Sequence, residues 1–253
     1  MCSCSSSPSS TNTEDLLSVE WPPTTSSLEV ISASAALLAY DDIDHVQMHL
    51  SEAENVYVHE VENAFAVSWK HNDIWVVAIR GTEVGDWRDI FDDADLRPTP
   101  LYWANSCHAH AGFTRHFYKL QASLLSSIVQ LPLSSIKQVV FCGHSLGATT
   151  AYLAAFFFVD ILRDMGYKNA VELRTYGSPK IGSENLCFWC AERSNRVHVV
   201  AYKNSSDAVP KVPPEMSDNW SERLVVFKSN KSPLQAHSMK GYLHDVVLTE
   251  ACV

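Results

Sequence analysis

Apolar residues along the middle of the chain fall into short runs of strand length and longer runs of helix length. Residues 65–69 and the wholly apolar run 74–79 are separated by His71-Asn72-Asp73, a pattern that predicts a β-hairpin. A run without any polar position is typical of a central strand that is covered on both faces. We therefore expect residues 74–79 to lie in the interior of a sheet.

Beyond this hairpin the two kinds of run alternate as far as residue 228. The pattern predicts strands at 138–142, 171–176, 197–202 and 224–228, and helices at 31–40, 113–129, 146–165 and 182–193. Such alternation indicates βα units, which build a largely parallel central sheet with helices on both faces. The predicted fold class is α/β, with an antiparallel hairpin added to the parallel sheet.

The chain is expected to form one domain behind a tail. Residues 1–27 are rich in Ser, Thr and Pro, a composition that predicts a disordered or loosely attached segment. Residues 28–253 then form a single domain of a length that α/β folds commonly fill. The tail lacks a basic stretch followed by an apolar one, so we expect a cytoplasmic protein, with secretion open if a leader was removed. The longest apolar run, 151–162, contains Asp160 and is too short for a transmembrane segment.

Composition narrows the range of partners. A hydrophobic fraction of 46% and a charged fraction of 19% are those of a globular protein with a sizeable core. The 19 Lys and Arg residues stand against 29 Asp and Glu residues, which gives a formal net charge of −10. Nucleic acid is therefore not expected as a partner, because its binding needs clustered basic residues. Electrostatic docking onto anionic membranes is disfavoured for the same reason.

The cysteines and histidines do not indicate a metal site. The chain has 7 cysteines, and an odd number argues against a disulfide framework. Cys187 and Cys190 form a CxxC pair with no second pair nearby, whereas a zinc site needs four ligands, so we interpret them as one apolar helix face. The chain also lacks an HExxH motif, and it has no GxGxxG or P-loop after a strand. We expect neither a metal nor a cofactor.

The pattern Gly143-His144-Ser145-Leu146-Gly147 lies between the strand predicted at 138–142 and the helix predicted at 146–165. In this context a GxSxG serine projects from a sharp turn toward a base that can take its proton. The glycines leave room for a strained backbone and for close packing of the helix on the strand. The N-terminus of the helix directs N–H groups toward a developing oxyanion. We interpret Ser145 as a nucleophile; the alternative is an ordinary turn bounded by glycines.

An acid and a histidine should follow in the order Ser, acid, His. Asp207 lies just beyond the strand predicted at 197–202, and the carboxyl ends of parallel strands are where such folds gather functional residues. His237 and His244 are the histidines that follow. His237 comes after a loop, and His244 comes one helical stretch later, where packing or solvent contact is the simpler interpretation.

Several motifs occur in a fixed order over residues 60–245. They are Ile79-Arg80-Gly81-Thr82-Glu83, Asp86-Trp87, His110-Ala111-Gly112-Phe113, the GxSxG pattern with Ala148, Tyr176-Gly177-Ser178-Pro179, Asp207-Ala208-Val209-Pro210, and His237-Ser238-Met239 with Tyr242. In this order they resemble the class 3 lipases, the fungal-lipase-like branch of the α/β hydrolases. The resemblance implies an α/β-hydrolase fold and a serine hydrolase that cleaves carboxylic esters.

The resemblance also implies roles for individual residues. Ser145, His237 and Asp207 would form a triad that works through an acyl-enzyme, with Asp207 orienting the imidazole and His237 acting as base and then as acid. The motif around His237 favours that residue over His244. Thr82 and the backbone N–H of Leu146 would hold the oxyanion.

A lid segment follows the oxyanion residue in the family. Here Trp87, Ile90, Phe91 and Ala94 have the spacing of one helical face. A mobile lid would cover the acyl pocket and open at a lipid–water interface, whereas the alternative is a permanently packed surface helix. The stretch 86–97 holds more acidic than basic residues, which favours smaller or more dispersed esters.

Three functional hypotheses follow. The first is a hydrolase of acylglycerols or similar lipid esters. The second, with the same triad, is a phospholipase A1 or an esterase of short-chain or phenolic esters. The third, from another class, is an inactive hydrolase fold that serves as a binding module. A fluorophosphonate probe separates the third from the others, because an assembled triad reacts with it through the serine.

Overall fold

The computed structural model describes Pro23, residues 27–82 and residues 97–251. The α-helices in this part of the chain are α1 (Leu28–Leu38), α2 (Ile43–His49), α3 (Ala111–Ile128), α4 (Leu146–Asp164), α5 (Glu184–Ala191), α6 (Pro233–Ala236) and α7 (Met239–Glu250). The strands are β1 (Glu54–Val61), β2 (Ala64–His71), β3 (Ile74–Ile79), β4 (Pro98–Pro100), β5 (His108–His110), β6 (Gln138–His144), β7 (Val171–Tyr176), β8 (Val197–Asn204) and β9 (Arg223–Phe227). Most of the predicted tail lies outside the described residues, so the division into tail and domain stays a prediction.

Seven strands form one sheet in the order β1-β2-β3-β6-β7-β8-β9. Strands β1, β2 and β3 pair antiparallel, and each pairing from β3 to β9 is parallel. The predicted hairpin is confirmed: β2 and β3 meet at a turn where Asn72 has a φ of 55°, a left-handed conformation that Asn tolerates. Strand β3 is buried at every position because β2 and β6 flank it and packed cores cover both of its faces. The predicted α/β class with a largely parallel sheet is therefore confirmed.

Helices cover both faces of the sheet, and alternate side chains of β3 enter two separate cores. Trp75 packs with Phe117 in the core that involves α3 and α4. Val76 points to the opposite face, where it packs in a core with Ile31 of α1 and Tyr242 of α7. This alternation follows from the two-residue period of a strand.

Two elements in the first part of the fold were not predicted from the sequence. Strand β1 lies at the edge of the sheet, and its burial does not follow a clean alternation of exposed and buried positions. Helix α2 has only seven residues, of which Val46 alone is buried. Neither element carries the strong periodicity on which sequence-based assignment depends.

Helix α4 is the element that would be mistaken for a membrane span. Among the described residues it is the one helix long and apolar enough to cross a bilayer, yet 72% of that segment is buried inside the molecule. Burial of this extent is what the core helix of a globular fold shows. The helix is therefore weak support for a transmembrane segment, and its importance lies in its first turn, which follows Ser145.

Candidate active site

Ser145 occupies the turn between the end of β6 and the start of α4. Its backbone has φ 57° and ψ −125°, a conformation that L-residues rarely adopt and that surrounding structure must hold in place. One such restraint is the backbone N–H of Ser145, which donates to the carbonyl of Tyr176 at the end of β7 (3.0 Å). The side chain is 3% exposed and faces a histidine.

Gly143 and Gly147 have no room for a side chain. A Cβ at Gly143 would lie 2.5 Å from the carbonyl oxygen of Gly147. A Cβ at Gly147 would overlap the carbonyl oxygen of Ile79 at the end of β3. The first turn of α4 therefore rests directly on the backbone of two strands, which fixes the position of Ser145 between them.

The structure brings His237 and Asp207 to Ser145. His237 follows α6, and its Nε2 lies 2.9 Å from Ser145 Oγ. Its Nδ1 lies 2.8 Å from Asp207 Oδ2. A carboxylate only accepts hydrogen bonds, so Nδ1 carries the proton and the bare Nε2 accepts from the Ser145 hydroxyl. In this arrangement the imidazole can take the hydroxyl proton.

Asp207 is a buried carboxylate, 1% exposed, whose two oxygens are fully used. Oδ1 accepts from the backbone N–H of Val209 (2.9 Å), and Oδ2 accepts from Tyr242 Oη (2.7 Å) as well as from His237. Burial raises the pKa of Tyr242, and the negative charge of Asp207 raises it further. The hydroxyl therefore stays protonated and donates. It also accepts from the backbone N–H of Asn204 (3.0 Å). Helix α7 thus supports the acid of the site, a role that sequence analysis had not given to Tyr242.

His244, the other histidine downstream of Asp207, is not part of the cluster. It lies on α7 beside Asp245, with Nδ1 3.4 Å from that carboxylate, and its side chain is 41% exposed. The geometry thus brings His237, and not His244, to Ser145.

Gly177 lies beside these side chains, although the sequence named it only within the motif Tyr176-Gly177-Ser178-Pro179 and gave it no role of its own. Its φ is 57°, and a Cβ there would approach Asp207 Oδ2 to 3.0 Å and His237 Nδ1 to 3.1 Å. A glycine at the carboxyl end of β7 therefore leaves the space in which the acid and the base meet. The sequence signal that could have suggested this role is a glycine at the end of a strand whose neighbours in the sheet precede Ser145 and Asp207.

The residues proposed for the oxyanion lie on either side of Ser145. Leu146 begins α4, and the first N–H groups of a helix have no partner within the helix. Thr82 is half-buried and follows Gly81, where an added Cβ would lie 3.4 Å from Ser145 Cβ. Their role as oxyanion donors stays a prediction.

His144 is also placed in the cluster. Its side chain is 5% exposed, and its ring centroid lies 4.6 Å from that of His237. Sequence analysis had treated it only as part of the GxSxG pattern.

Two other features predicted from the sequence are the lid segment and the cysteine pair. The lid positions Trp87, Ile90, Phe91 and Ala94 lie outside the described residues. Cys187 and Cys190 lie on α5 as free thiols, Cys190 buried and Cys187 partly so. Over the described ranges, no group of three or more His, Cys, Asp or Glu side chains is arranged to hold a metal ion.

The family model that matches the chain is "Lipase (class 3)", over residues 76–217. This range contains Thr82, Ser145 and Asp207 and ends before His237. The family prediction made from the motifs is therefore confirmed, while the choice of the histidine depends on the geometry given above.

Individual relatives are similar over shorter lengths. The chain is 33% identical over 120 residues to Toxin TseL of Vibrio cholerae (46% of this chain, 18% of the relative). It is 29% identical over 144 residues to the secreted mono- and diacylglycerol lipase A of Penicillium cyclopium (56% and 44%). It is 36% identical over 112 residues to the chloroplastic phospholipase A(1) DAD1 of Arabidopsis thaliana (44% and 23%). The chain thus spans less than half the length of each of these relatives.

Among solved structures, the lipase from Rhizopus microsporus var. chinensis superposes with a TM-score of 0.58 at 19% identity, covering 74% of this chain and 67% of that one. This similarity confirms the α/β-hydrolase fold. The predicted cytoplasmic location finds no support in the comparisons, because a relative named as secreted is among the matches, and secretion stays open.

Proposed function

The chain belongs to the class 3 lipase family, and from this premise we propose that it hydrolyses carboxylic esters of acylglycerols or related lipids. The observation that carries the proposal is one continuous set of hydrogen bonds. Ser145 Oγ lies 2.9 Å from His237 Nε2, and His237 Nδ1 lies 2.8 Å from the buried carboxylate of Asp207. A serine in this position is a nucleophile with its base already in contact.

The first half of the reaction forms an acyl-enzyme. His237 Nε2 takes the proton of the Ser145 hydroxyl while Oγ attacks the carbonyl carbon of the ester. The negative charge moves to the carbonyl oxygen, toward the N–H group of Leu146 and toward Thr82. The imidazolium, stabilised by Asp207, then gives its proton to the leaving alkoxide oxygen, and the alcohol departs.

The second half releases the acid. Water enters the site vacated by the alcohol, His237 takes a proton from it, and the hydroxide oxygen attacks the acyl carbon. The bond to Ser145 Oγ breaks when His237 returns its proton to that oxygen. The products are a carboxylic acid and the free serine, and no cofactor takes part in either half.

A phospholipase A1 or a short-chain esterase is the second candidate. Similarity to a relative named phospholipase A(1) favours its first form. Both candidates use the same triad, so the substrate pocket decides between them. Release of the sn-1 acyl chain from phosphatidylcholine, measured beside hydrolysis of a diacylglycerol, separates the two.

The inactive binding module is the alternative from another class. It predicts that the three residues have been replaced or have moved apart. Here His237 lies within hydrogen-bonding distance of both Ser145 and Asp207. A fluorophosphonate probe should label the wild-type protein on its serine. A protein that resists the probe and has no esterase activity would favour the binding module over both hydrolase hypotheses.

The experiment that tests the proposal is a p-nitrophenyl ester series from short to long acyl chains with Ser145→Ala as the variant. We expect the variant to lose about three to six orders of magnitude in kcat. Ser127→Ala is the matched control, because Ser127 is a buried serine whose hydroxyl binds only the Leu124 carbonyl of its own helix. Equal background rates for all three proteins would reject the proposal, and the preferred chain length would separate an esterase from a lipase.

A further inference from the structure

The side chain of His144 connects two parts of the site that are far apart in sequence. Its Nε2 lies 2.6 Å from the backbone carbonyl oxygen of His237, and its Nδ1 lies 2.8 Å from the hydroxyl of Tyr40. Tyr40 follows α1, in the first part of the fold. The ring of His144 is therefore held at both nitrogens, between Tyr40 and the main chain of His237.

The partners of His144 determine where its proton lies. A carbonyl oxygen can only accept, so Nε2 must carry a hydrogen. Burial lowers the pKa of His144 well below its ordinary value, and the nearby His237 lowers it further, so the ring stays neutral. Nδ1 of the neutral ring is then an acceptor, and the Tyr40 hydroxyl donates to it. Both nitrogens are satisfied in one tautomer only.

The main chain at His237 is held on its N–H side by local bonds, since this N–H donates to the carbonyls of Pro233 (3.1 Å) and Leu234 (3.3 Å). It lies at the end of the four-residue helix α6, and residues 228–235 before it are almost all exposed. The contacts of the imidazole with Ser145 and Asp207 orient the ring, but they do not hold the backbone from which the ring extends. The hydrogen bond from His144 to the His237 carbonyl adds a restraint on the other side of this residue, from the end of β6.

Tyr40 also touches the other side of the site. A Cβ at Gly81 would overlap the Tyr40 hydroxyl, so this hydroxyl lies directly against the backbone that leads to Thr82. Through His144 and Gly81, Tyr40 contacts the segment before the nucleophile and the segment before the proposed oxyanion residue. Tyr40 and His237 both lie outside residues 76–217, the range of the family model.

We propose that Tyr40 and His144 are positioning residues that hold the main chain of His237 at the distance from Ser145 that proton transfer requires. The proposal rests on the proposed function, in which His237 is the base. Neither residue touches the reacting atoms; both act through the carbonyl of His237, Tyr40 by way of His144. A displacement of about 1 Å at a reacting group can cost about 100-fold in rate, so the loss of this restraint should be visible in kcat.

The kinetic test compares Tyr40→Phe, His144→Phe and His144→Gln with wild type on a p-nitrophenyl ester. We expect His144→Phe to lower kcat about 10- to 100-fold with little change in KM. His144→Gln should recover most of that loss, because its amide N–H reaches the same carbonyl. Since Tyr40 acts through His144, the double Phe variant should be no slower than His144→Phe alone.

Controls separate positioning from general damage. His59→Phe removes a buried histidine that bridges Ser68 and Ser123, and Tyr167→Phe removes a buried hydroxyl at the start of β6, at the other end of that strand from Ser145. These controls should lose stability and keep kcat. If kcat of His144→Phe stays within about 2-fold of wild type, or if the controls lose as much kcat as it does, the proposal is wrong.

A spectroscopic measurement keeps this test distinct from that of the proposed function. In ¹⁵N NMR spectra of the ring nitrogens, we expect His144 in the neutral form with the proton on Nε2, and we expect Tyr40→Phe, but not Tyr167→Phe, to shift the ring signals of His237. Another tautomer, or unchanged His237 signals, would overturn the positioning role. If wild type neither hydrolyses esters nor reacts with a fluorophosphonate, the proposed function fails, and the NMR result alone decides whether Tyr40 and His144 restrain His237.

Discussion

At the scale of single residues, the proposed chemistry depends on a carboxylate that is buried and hydrogen-bonded at both oxygens. Asp207 is surrounded by three donors: the Val209 backbone, Tyr242 and His237. An unpaired buried carboxylate would be costly, and here each oxygen has a partner. The same contacts orient the carboxylate so that only one oxygen faces the imidazole. The site is thus prepared for a positive charge on His237 before any substrate binds.

Asp207→Asn tests this electrostatic role directly. The amide keeps the shape of the side chain but allows His237 to bind it in the other tautomer, with a hydrogen on Nε2 that cannot accept from Ser145. We expect kcat to fall about 10³- to 10⁴-fold. Asp73→Asn, which breaks a surface ion pair with Lys137, is the control and should leave kcat unchanged. A loss smaller than about 10-fold in Asp207→Asn would remove Asp207 from the mechanism.

At the scale of elements, the first turn of α4 is held by contact between backbones. A Cβ at Gly147 would overlap the Ile79 carbonyl, so Gly147→Ala must push α4 away from β3. We expect this variant to lose stability by a few kcal/mol, on the scale of an overpacked core, and to lose activity with it. Urea unfolding measures the first effect and ester hydrolysis the second.

Gly241→Ala is the matched control for that substitution. Gly241 lies in α7, and an added Cβ there would meet nothing closer than 3.6 Å. Alanine is about 1 kcal/mol more favourable than glycine in a helix interior, so this variant, in the first turn of α7, should gain stability by up to that amount. If both variants change stability in the same direction, backbone crowding at Gly147 is not what fixes the nucleophile.

Strand β1 depends on a histidine that must stay neutral. His59 is 1% exposed and lies between Ser68 of β2 and Ser123 of α3, at 2.8 Å from each hydroxyl. Burial lowers its pKa from 6.5 to about 4. The unfolded chain therefore binds a proton between these values that the folded chain refuses. Stability is retained above pH 6.5 and is lost as the pH falls toward 4.

The size of this effect can be measured with His59→Gln. Between about pH 7 and about pH 4.5, His59 should account for about 2.5 kcal/mol of the decrease in the free energy of unfolding. Urea unfolding at the two pH values should show a decrease that is smaller in His59→Gln by about this amount. Equal decreases in the two proteins would mean that His59 is accessible to protons in the folded state.

At the scale of the whole molecule, the net charge of −10 should govern which lipid surfaces the protein approaches. Anionic vesicles repel a protein of this charge, and salt screens the repulsion. We expect hydrolysis of an ester dispersed in phosphatidylglycerol vesicles to be slower than in phosphatidylcholine vesicles at low salt, with the difference shrinking at high salt. A preference for the anionic vesicles would indicate a local basic surface that outweighs the net charge.

Much of the fold, and the three residues that meet at Ser145, could be predicted because local sequence features mark them; their catalytic roles stay a prediction. Continuous apolar runs located β3 and β6. Ser145 and Asp207 each follow a predicted strand, and His237 follows a predicted loop. Tyr40 could not be found in this way, since it meets His144 across 104 positions and no local motif marks it. Strand β1 was missed because an edge strand lacks a continuous apolar run.

The central claim is that Ser145 is the residue acylated during ester hydrolysis. The most direct measurement is to stop a reaction with a p-nitrophenyl ester by acid and locate the acyl group by tandem mass spectrometry. The account predicts one acylated peptide, modified at Ser145, that disappears in Ser145→Ala and forms far more slowly in His237→Gln. An acyl group on another residue would contradict it. So would turnover by wild type with no acylated intermediate, even under conditions in which deacylation is slow.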